Sequence, residues 1–323
     1  MKPIQTFFLI ITFFACNNSN QKRVYKPSSS GNINNLLVVI DDDLWRGRVG
    51  DVLREKVGSE IYGLPQIEPY FDMRQVPTAV FTDFVRLNRI VLKIQISNEN
   101  RVKQYKDPYA SPQTMVVLGA EDADKLIDLI ETTSSDIISS FREVELREKQ
   151  RRIKKSLFNS SSVKTTLGID IKFSSAYRIA KAKDNFFWIR RDTESGSLNL
   201  LLYSLPMKEF NDSYFFNEFI IQQRDSVVKR EIPGPHEGDF MITDSSYTPS
   251  FFKTKISGIN VLETRSMWKI KGAFMSGPFV NYCFLDKKNN RFIVAEGFVY
   301  APAGAKRDYM FELEAIIRSI SID

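Results

Sequence analysis

Leu36-Leu37-Val38-Val39-Ile40-Asp41-Asp42-Asp43-Leu44-Trp45-Arg46-Gly47-Arg48-Val49-Gly50-Asp51-Val52-Leu53-Arg54-Glu55-Lys56-Val57-Gly58 opens the folded part of the chain and sets its class. The first five residues are apolar without interruption and three are β-branched, the pattern of a strand covered on both faces. Beyond the aspartates, Val49, Val52, Leu53 and Val57 recur near helical spacing, and Gly58 stands where a helix would stop. A buried strand handed straight to an amphipathic helix predicts mixed α and β structure.

Further along, Pro65, Pro69 and Pro77 mark an irregular connection, residues 89–97 alternate as a strand, and residues 114–118 form another. Residues 122–155 read as one long helix, with Leu126, Ile127, Leu129, Ile130, Ile137, Ile138 and Phe141 as its apolar stripe. The stripe fades into the charged run 142–152, which predicts a solvated helix end. The serine-rich residues 156–163 suggest a boundary between an N-terminal subdomain (33–160) and a C-terminal one (161–323).

In the second half, residues 169–173, 186–190 and 198–203 read as strands, and 215–231 as an amphipathic helix. Residues 280–286 and 291–300 read as a hairpin, and 307–320 as a closing helix. The predicted class is α+β, with mixed or antiparallel sheets and long amphipathic helices. Each half mixes strands with a terminal helix, a hint of two similar subdomains, although no residue-level repeat supports it.

The 323 residues carry 45 Lys and Arg against 39 Asp and Glu, with 43% hydrophobic residues, two Cys and one His. Such a chain is too apolar for disorder and has too few cysteines for a disulfide scaffold. A net charge of +6 spread over both halves argues against a dedicated nucleic-acid binder.

At the start, Lys2 leads into the apolar run Phe7-Phe8-Leu9-Ile10-Ile11-Thr12-Phe13-Phe14, followed by Ala15 and Cys16. This run is shorter than the roughly 20 residues of a membrane-spanning helix and has the shape of a signal peptide. A small residue directly before Cys16 resembles the lipobox of bacterial lipoproteins. Phe13 and Phe14 depart from that pattern. The resemblance implies cleavage of residues 1–15 and acylation of Cys16 with membrane-lipid chains of the palmitate type. Two or three such chains hold a protein stably at a membrane surface. Residues 16–32 are then the lipidated cysteine and a flexible polar tether. Cys283 is left without a cysteine partner, as a small buried hydrophobe.

The run Leu37-Val38-Val39-Ile40-Asp41 leading into Trp45-Arg46-Gly47, with the turns Gly63-Leu64-Pro65-Gln66 and Ile232-Pro233-Gly234-Pro235, resembles a Bacteroidota lipoprotein family catalogued only as a domain of unknown function (4837). The resemblance implies residence in the cell envelope and offers no catalytic residues. In Bacteroidota lipoproteins an acidic cluster after the cysteine resembles a surface-export signal. Residues 17–32 contain none, which points to the periplasmic face of the outer membrane.

Two clusters could carry chemistry. Asp41, Asp42 and Asp43 at a strand's C-terminal end could hold a hard divalent cation, but capping of the following helix explains them better. His236, Glu237 and Asp239, in a Pro/Gly loop, could act as acid and base, yet no nucleophile motif accompanies them. Trp45, Tyr70, Phe71, Trp188, Phe215, Phe216, Trp268 and Tyr282 could form a platform for sugar rings or peptide, edged by Arg190 and Arg191; core packing is the default for most of them.

The resulting expectation is a lipid-anchored envelope protein without catalytic residues or cofactor. It would serve as a binding or assembly module for an envelope protein or cell-wall component, and not for nucleic acid. The alternative is a periplasmic hydrolase of peptidoglycan, peptide or glycan built on His236, Glu237 and Asp239.

Cys16→Ala should release the protein from membranes, because no other segment of the sequence is long and apolar enough to anchor it. Fractionation with fatty-acid labelling checks this. A mutant that stays in the carbonate-washed membrane, beside a wild type that takes up no label, would refute acylation.

Overall fold

In a computed structural model, which describes residues 25–210 and 213–322, the apolar run becomes β1 (Asn35–Val39), buried after its first residue. It is flanked by parallel neighbours β2 (Asp72–Val76) and β3 (Ile90–Ile96). β3 pairs in parallel with β5 (Thr114–Ala120), and β4 (Arg101–Lys106) closes the sheet antiparallel to β5. The order is β2-β1-β3-β5-β4, a mixed sheet whose central strands need both faces covered. One face packs Leu36, Val38, Leu92 and Leu118 against α2 (Arg48–Lys56) and α3 (Ala123–Ile153). The other packs Leu37, Val39 and Val91 against Phe81 and Val85.

The helix read at residues 44–58 is two helices. Gly47 breaks it in an extended conformation, between α1 (Asp42–Arg46) and α2. The turn is tight, since a Cβ at Gly50 would lie 1.8 Å from the Trp45 carbonyl oxygen. The long helix begins where the sequence places it, with the Asp122 side chain accepting from the Lys125 N–H at 2.9 Å. Its expected solvated end is a correction, because Val144, Glu145, Leu146 and Glu148 are all buried. A second subdomain and the segment before β1 cover that end.

That second subdomain starts with α4 (Ser161–Leu167) and β6 (Ile169–Asp170), and its antiparallel strands follow. They are β7 (Arg178–Lys183), β8 (Phe186–Thr193), β9 (Gly196–Pro206), β10 (Phe240–Thr243), β11 (Ser250–Ile256), β12 (Ile259–Lys271), β13 (Ser276–Asp286) and β14 (Arg291–Tyr300). The order is β10-β12-β13-β14-β9-β8-β7, with β11 also pairing along β12. α5 (Ser213–Glu231) covers one face, and α6 (Arg307–Ile317) covers the other with α4 and the end of α3. β15 (Ser321–Ile322) returns to pair with β6. Both subdomains are α+β and they differ in connectivity, the first sheet being mostly parallel and the second antiparallel.

Several strands were not legible as runs. β2, β4 and β7 are edge strands with exposed, charged residues, so they carry no apolar alternation. Residues 171–173 do not continue β6. At the boundary read over residues 156–163, the Phe158 N–H donates to the Phe173 carbonyl at 3.0 Å, and the two rings stack at 5.0 Å.

α6 joins the subdomains. Its Glu314 accepts from Arg142 of α3 at 2.8 Å, its Glu312 pairs with Lys149 of α3 at 2.5 Å, and Gln150 of α3 donates to the Ala315 carbonyl at 3.0 Å. Its N-terminus is capped from the other subdomain, where the Glu68 carboxylate accepts the N–H groups of Lys306 and Arg307 at 2.8 Å each. On the sheet side α6 approaches so closely that a Cβ at Gly297 would lie 2.8 Å from the Leu313 Cβ.

The expected tether ends earlier than Asn32. Ser28 bridges Ser111, Ser30 bridges Asn88, and Arg89 donates to the Gly31 and Asn32 carbonyls at 3.2 and 2.7 Å. Arg89 is held in turn by Glu145 of α3 at 2.6 and 3.0 Å, both side chains at most 1% exposed. The signal peptide and Cys16 lie outside the described residues.

Glu145→Ala should cost about 3–5 kcal/mol, because it strands the Arg89 guanidinium in the interior and frees the Asn34 N–H that Glu145 also accepts at 2.8 Å. Urea unfolding measures it. A loss below about 1 kcal/mol would show that water or other groups replace the carboxylate.

Candidate functional site

The residues singled out from the sequence do not assemble into a reaction centre. The Asp41 carboxylate accepts the Thr78 N–H at 3.2 Å and the Asp42 carboxylate accepts the Gln75 amide at 2.9 Å, so the aspartates turn to different partners. Asp41 occupies the N-cap position of α1 without a side-chain capping bond, which corrects the capping expectation for that residue. Among the described residues no three His, Cys, Asp or Glu side chains converge as a metal site.

His236 and Glu237 are exposed, and Asp239 is spent on its own turn. Its carboxylate accepts the His236 N–H at 3.1 Å, and its carbonyl accepts the Gly234 N–H at 3.1 Å. A cavity of about 300 Å³ lies beside this loop and takes Pro233 and Pro235 into its wall, but none of His236, Glu237 and Asp239 lines it. Trp188, Trp268 and Arg190 do line it, a remnant of the expected aromatic platform. The other aromatics scatter. Phe71 and Tyr282 are core residues, Trp45 lies under Arg54 with its ring 4.6 Å from the guanidinium, and the side chain of Phe215 lies outside the described residues. Arg191 is bound to Glu312 at 2.7 Å.

What the fold does bring together is a charged cleft between the subdomains. Two adjoining cavities of about 450 and 330 Å³ share Tyr70, Arg142, Glu314 and Arg318 as a common wall. α3 supplies Arg142, β12 supplies Glu263 and Arg265, and the C-terminal end of α6 supplies Glu314 and Arg318. Glu314 is the hub, with Arg142 at 2.8 Å, Arg265 at 3.3 Å and Arg318 at 3.4 Å. Glu263 holds Arg265 at 2.6 Å and Arg318 at 3.9 Å. Arg142 also lies over the Tyr70 and Phe311 rings at 5.0 and 5.4 Å.

Three guanidinium groups therefore face two carboxylates. Glu143 also lines the cleft, but it is matched by Arg147 at 2.9 Å. Burial drives the Glu314 carboxyl upward, and the charges of Arg142, Arg265 and Arg318 outweigh burial and bring it down to about 2. Burial, with Glu314 and Glu263 beside it, pushes the Tyr282 hydroxyl well above its ordinary value. Glu314 is ionised and Tyr282 protonated at neutral pH. The arrangement can hold an anion, and Glu314 is no proton donor there.

Sequence reasoning missed this cleft because its members come from three distant elements. Arg142 was visible only as the first residue of a run expected to face water.

Residues 156–319 match the family model described as Domain of unknown function (DUF4837), and residues 29–154 match a second, Domain of unknown function (DUF8532). No curated protein matches. Among solved structures, the Saccharomyces cerevisiae Ran-binding protein Mog1p is 8% identical at a TM-score of 0.33, over 48% of this chain and 90% of its own. LpqN, involved in cell envelope biogenesis of Mycobacterium tuberculosis, is 10% identical at 0.29, over 47% of this chain and 82% of its own. Likeness of that degree carries no reading of function.

Stability should fall as the pH drops from 4.5 towards 2. The folded Glu314 pKa lies below its unfolded value, so its contribution is present above 4.5 and is lost as the carboxyl protonates. Glu314→Gln should lower stability at pH 7 and flatten this part of the profile. An unchanged slope in acid unfolding would show that Glu314 is not the linked group.

Proposed function

The chain belongs to the family described as Domain of unknown function (DUF4837), and for this member of it we propose a lipid-anchored, non-catalytic binding module of the cell envelope that takes a carboxylate-bearing cell-wall component in the cleft between its subdomains. The observation that carries the reading is the cationic excess there, three arginines on two carboxylates in a recess open to solvent. Guanidinium groups bind carboxylates through paired, charge-assisted hydrogen bonds. Tyr62 and Phe252 flank the recess with rings 58% and 44% exposed, surfaces suited to the apolar face of a sugar ring.

Anchoring supports the same reading. With Cys16 acylated, residues 17–27 span at most about 40 Å to Ser28, which bridges Ser111, and this keeps the first subdomain near the membrane surface. Among the described residues no helix is long and apolar enough to cross a membrane. The hydrolase alternative finds no support in the loop 232–239, whose acid-base candidates do not line the cavity beside it.

Residues 17–323, which retain every described residue, should co-sediment with purified peptidoglycan sacculi and lose that binding when the sacculi carboxylates are blocked as amides. Arg318→Gln removes the most exposed of the three arginines and should weaken binding about tenfold, the effect of one charge-assisted contact. Failure of the wild type to sediment, or equal binding by the variant, would overturn the proposal.

A further inference from the structure

The opposite face of the antiparallel sheet carries a second cavity with different chemistry. α5 packs on β10 and β14 through Arg224, which reaches Thr243 and Glu296, and through Phe216 against Phe292, and a space of about 580 Å³ remains beside its first turns. Leu262, Cys283, Leu285 and Phe292 form its floor, and Phe216 of α5 forms a wall. This space belongs to the same apolar cluster that holds Ile220, Val227 and Val228 of α5 against the sheet.

The mouth is polar and of one sign. β11 is an edge strand whose register sets Lys253 beside Leu262 and Lys255 beside Asn260, all on the face turned to α5. Lys253, Lys255, Asn217 and Asn260 line the opening, and no carboxylate lines it among the described residues. Among the described residues neither ammonium has a carboxylate partner there. The strand at Lys253 also borders the arginine cleft on the other face, whereas Lys255 lines this cavity alone.

We propose that this cavity binds one long-chain fatty acid, with the alkyl tail on Leu262, Cys283 and Phe292 and the carboxylate at Lys255. The volume falls in the roughly 300–1,000 Å³ range of sites for one small molecule. Each methylene moved from water onto the apolar floor adds to the affinity, and the cationic mouth selects an acidic head over a neutral one. Cys283 is a lining residue with no chemical part, because burial pushes its thiol far up and keeps it protonated. Lysines on an edge strand also deter strand addition, a task that either sign of charge performs. Charge reversal at Lys255 therefore separates the two roles. The inference does not rest on the cell-wall reading.

The experiment titrates residues 17–323 with the fluorescent fatty acid cis-parinaric acid below its aggregation concentration and displaces it with palmitate or hexadecanol. The expected result is one saturable site, displaced at least about tenfold better by palmitate than by hexadecanol. Lys255→Glu should weaken binding about tenfold and Leu262→Trp should abolish it by filling the floor, with circular dichroism and sedimentation onto sacculi unchanged in both. Arg318→Gln, in the other site, should bind the fatty acid as wild type does. No saturable binding by wild type would overturn the proposal. So would equal displacement by palmitate and hexadecanol, or wild-type affinity in Lys255→Glu. A Leu262→Trp variant that loses its fold is replaced by Cys283→Met, which narrows the same floor and should weaken binding.

Discussion

Two buried carboxylates on α6 constrain the molecule more than any other feature. Glu312 and Glu314 lie on a helix whose residues from Met310 to Ile317 are all buried, and neither could remain ionised there alone. Lys149, Arg191 and Tyr177 answer Glu312; Arg142, Arg265 and Arg318 answer Glu314. These partners come from α3, β8, the segment before β7, β12 and the turn after α6. Lys149 and Arg142 are the partners that cross from α3, so separating the subdomains would take one cation from each carboxylate. The Glu68 cap on the α6 N-terminus adds a contact between chain positions 238 residues apart.

The cleft follows from that docking. Its arginines are recruited to neutralise α6, and because they exceed the carboxylates they leave a positive surface where the two subdomains meet. The Arg89–Glu145 pair plays a parallel part further along α3, tying the leading segment and the first sheet to the helix that carries Arg142. α3 is thus the rigid beam along which both buried networks are spaced.

The antiparallel sheet separates two environments. Its α6 face carries ionic groups and meets the first subdomain; its α5 face is mostly apolar around the buried Arg224–Glu296 pair, with Asn281 on the same carboxylate at 3.0 Å. That pair holds the middle of α5 to β14, while the first turns of α5 stand over a less filled floor.

Periodicity and composition alone determined the α+β class, the β1 strand, the onset of α3 at Asp122, the β13 and β14 hairpin and the closing helix, because each satisfies a local rule of burial or capping. Neither the sharp division of one helix at Gly47 nor the edge strands β2, β4 and β7 obeyed such a rule, since a tight backbone approach and half-exposed edges leave no apolar period to read. The cleft was beyond local reading altogether. Arg142 looks like a solvated helix residue, and Arg265 and Arg318 are ordinary cations, until tertiary packing buries Glu314 among them. Only the fold decides which charges lose their water, and a charge acquires its binding chemistry from the partners that replace that water.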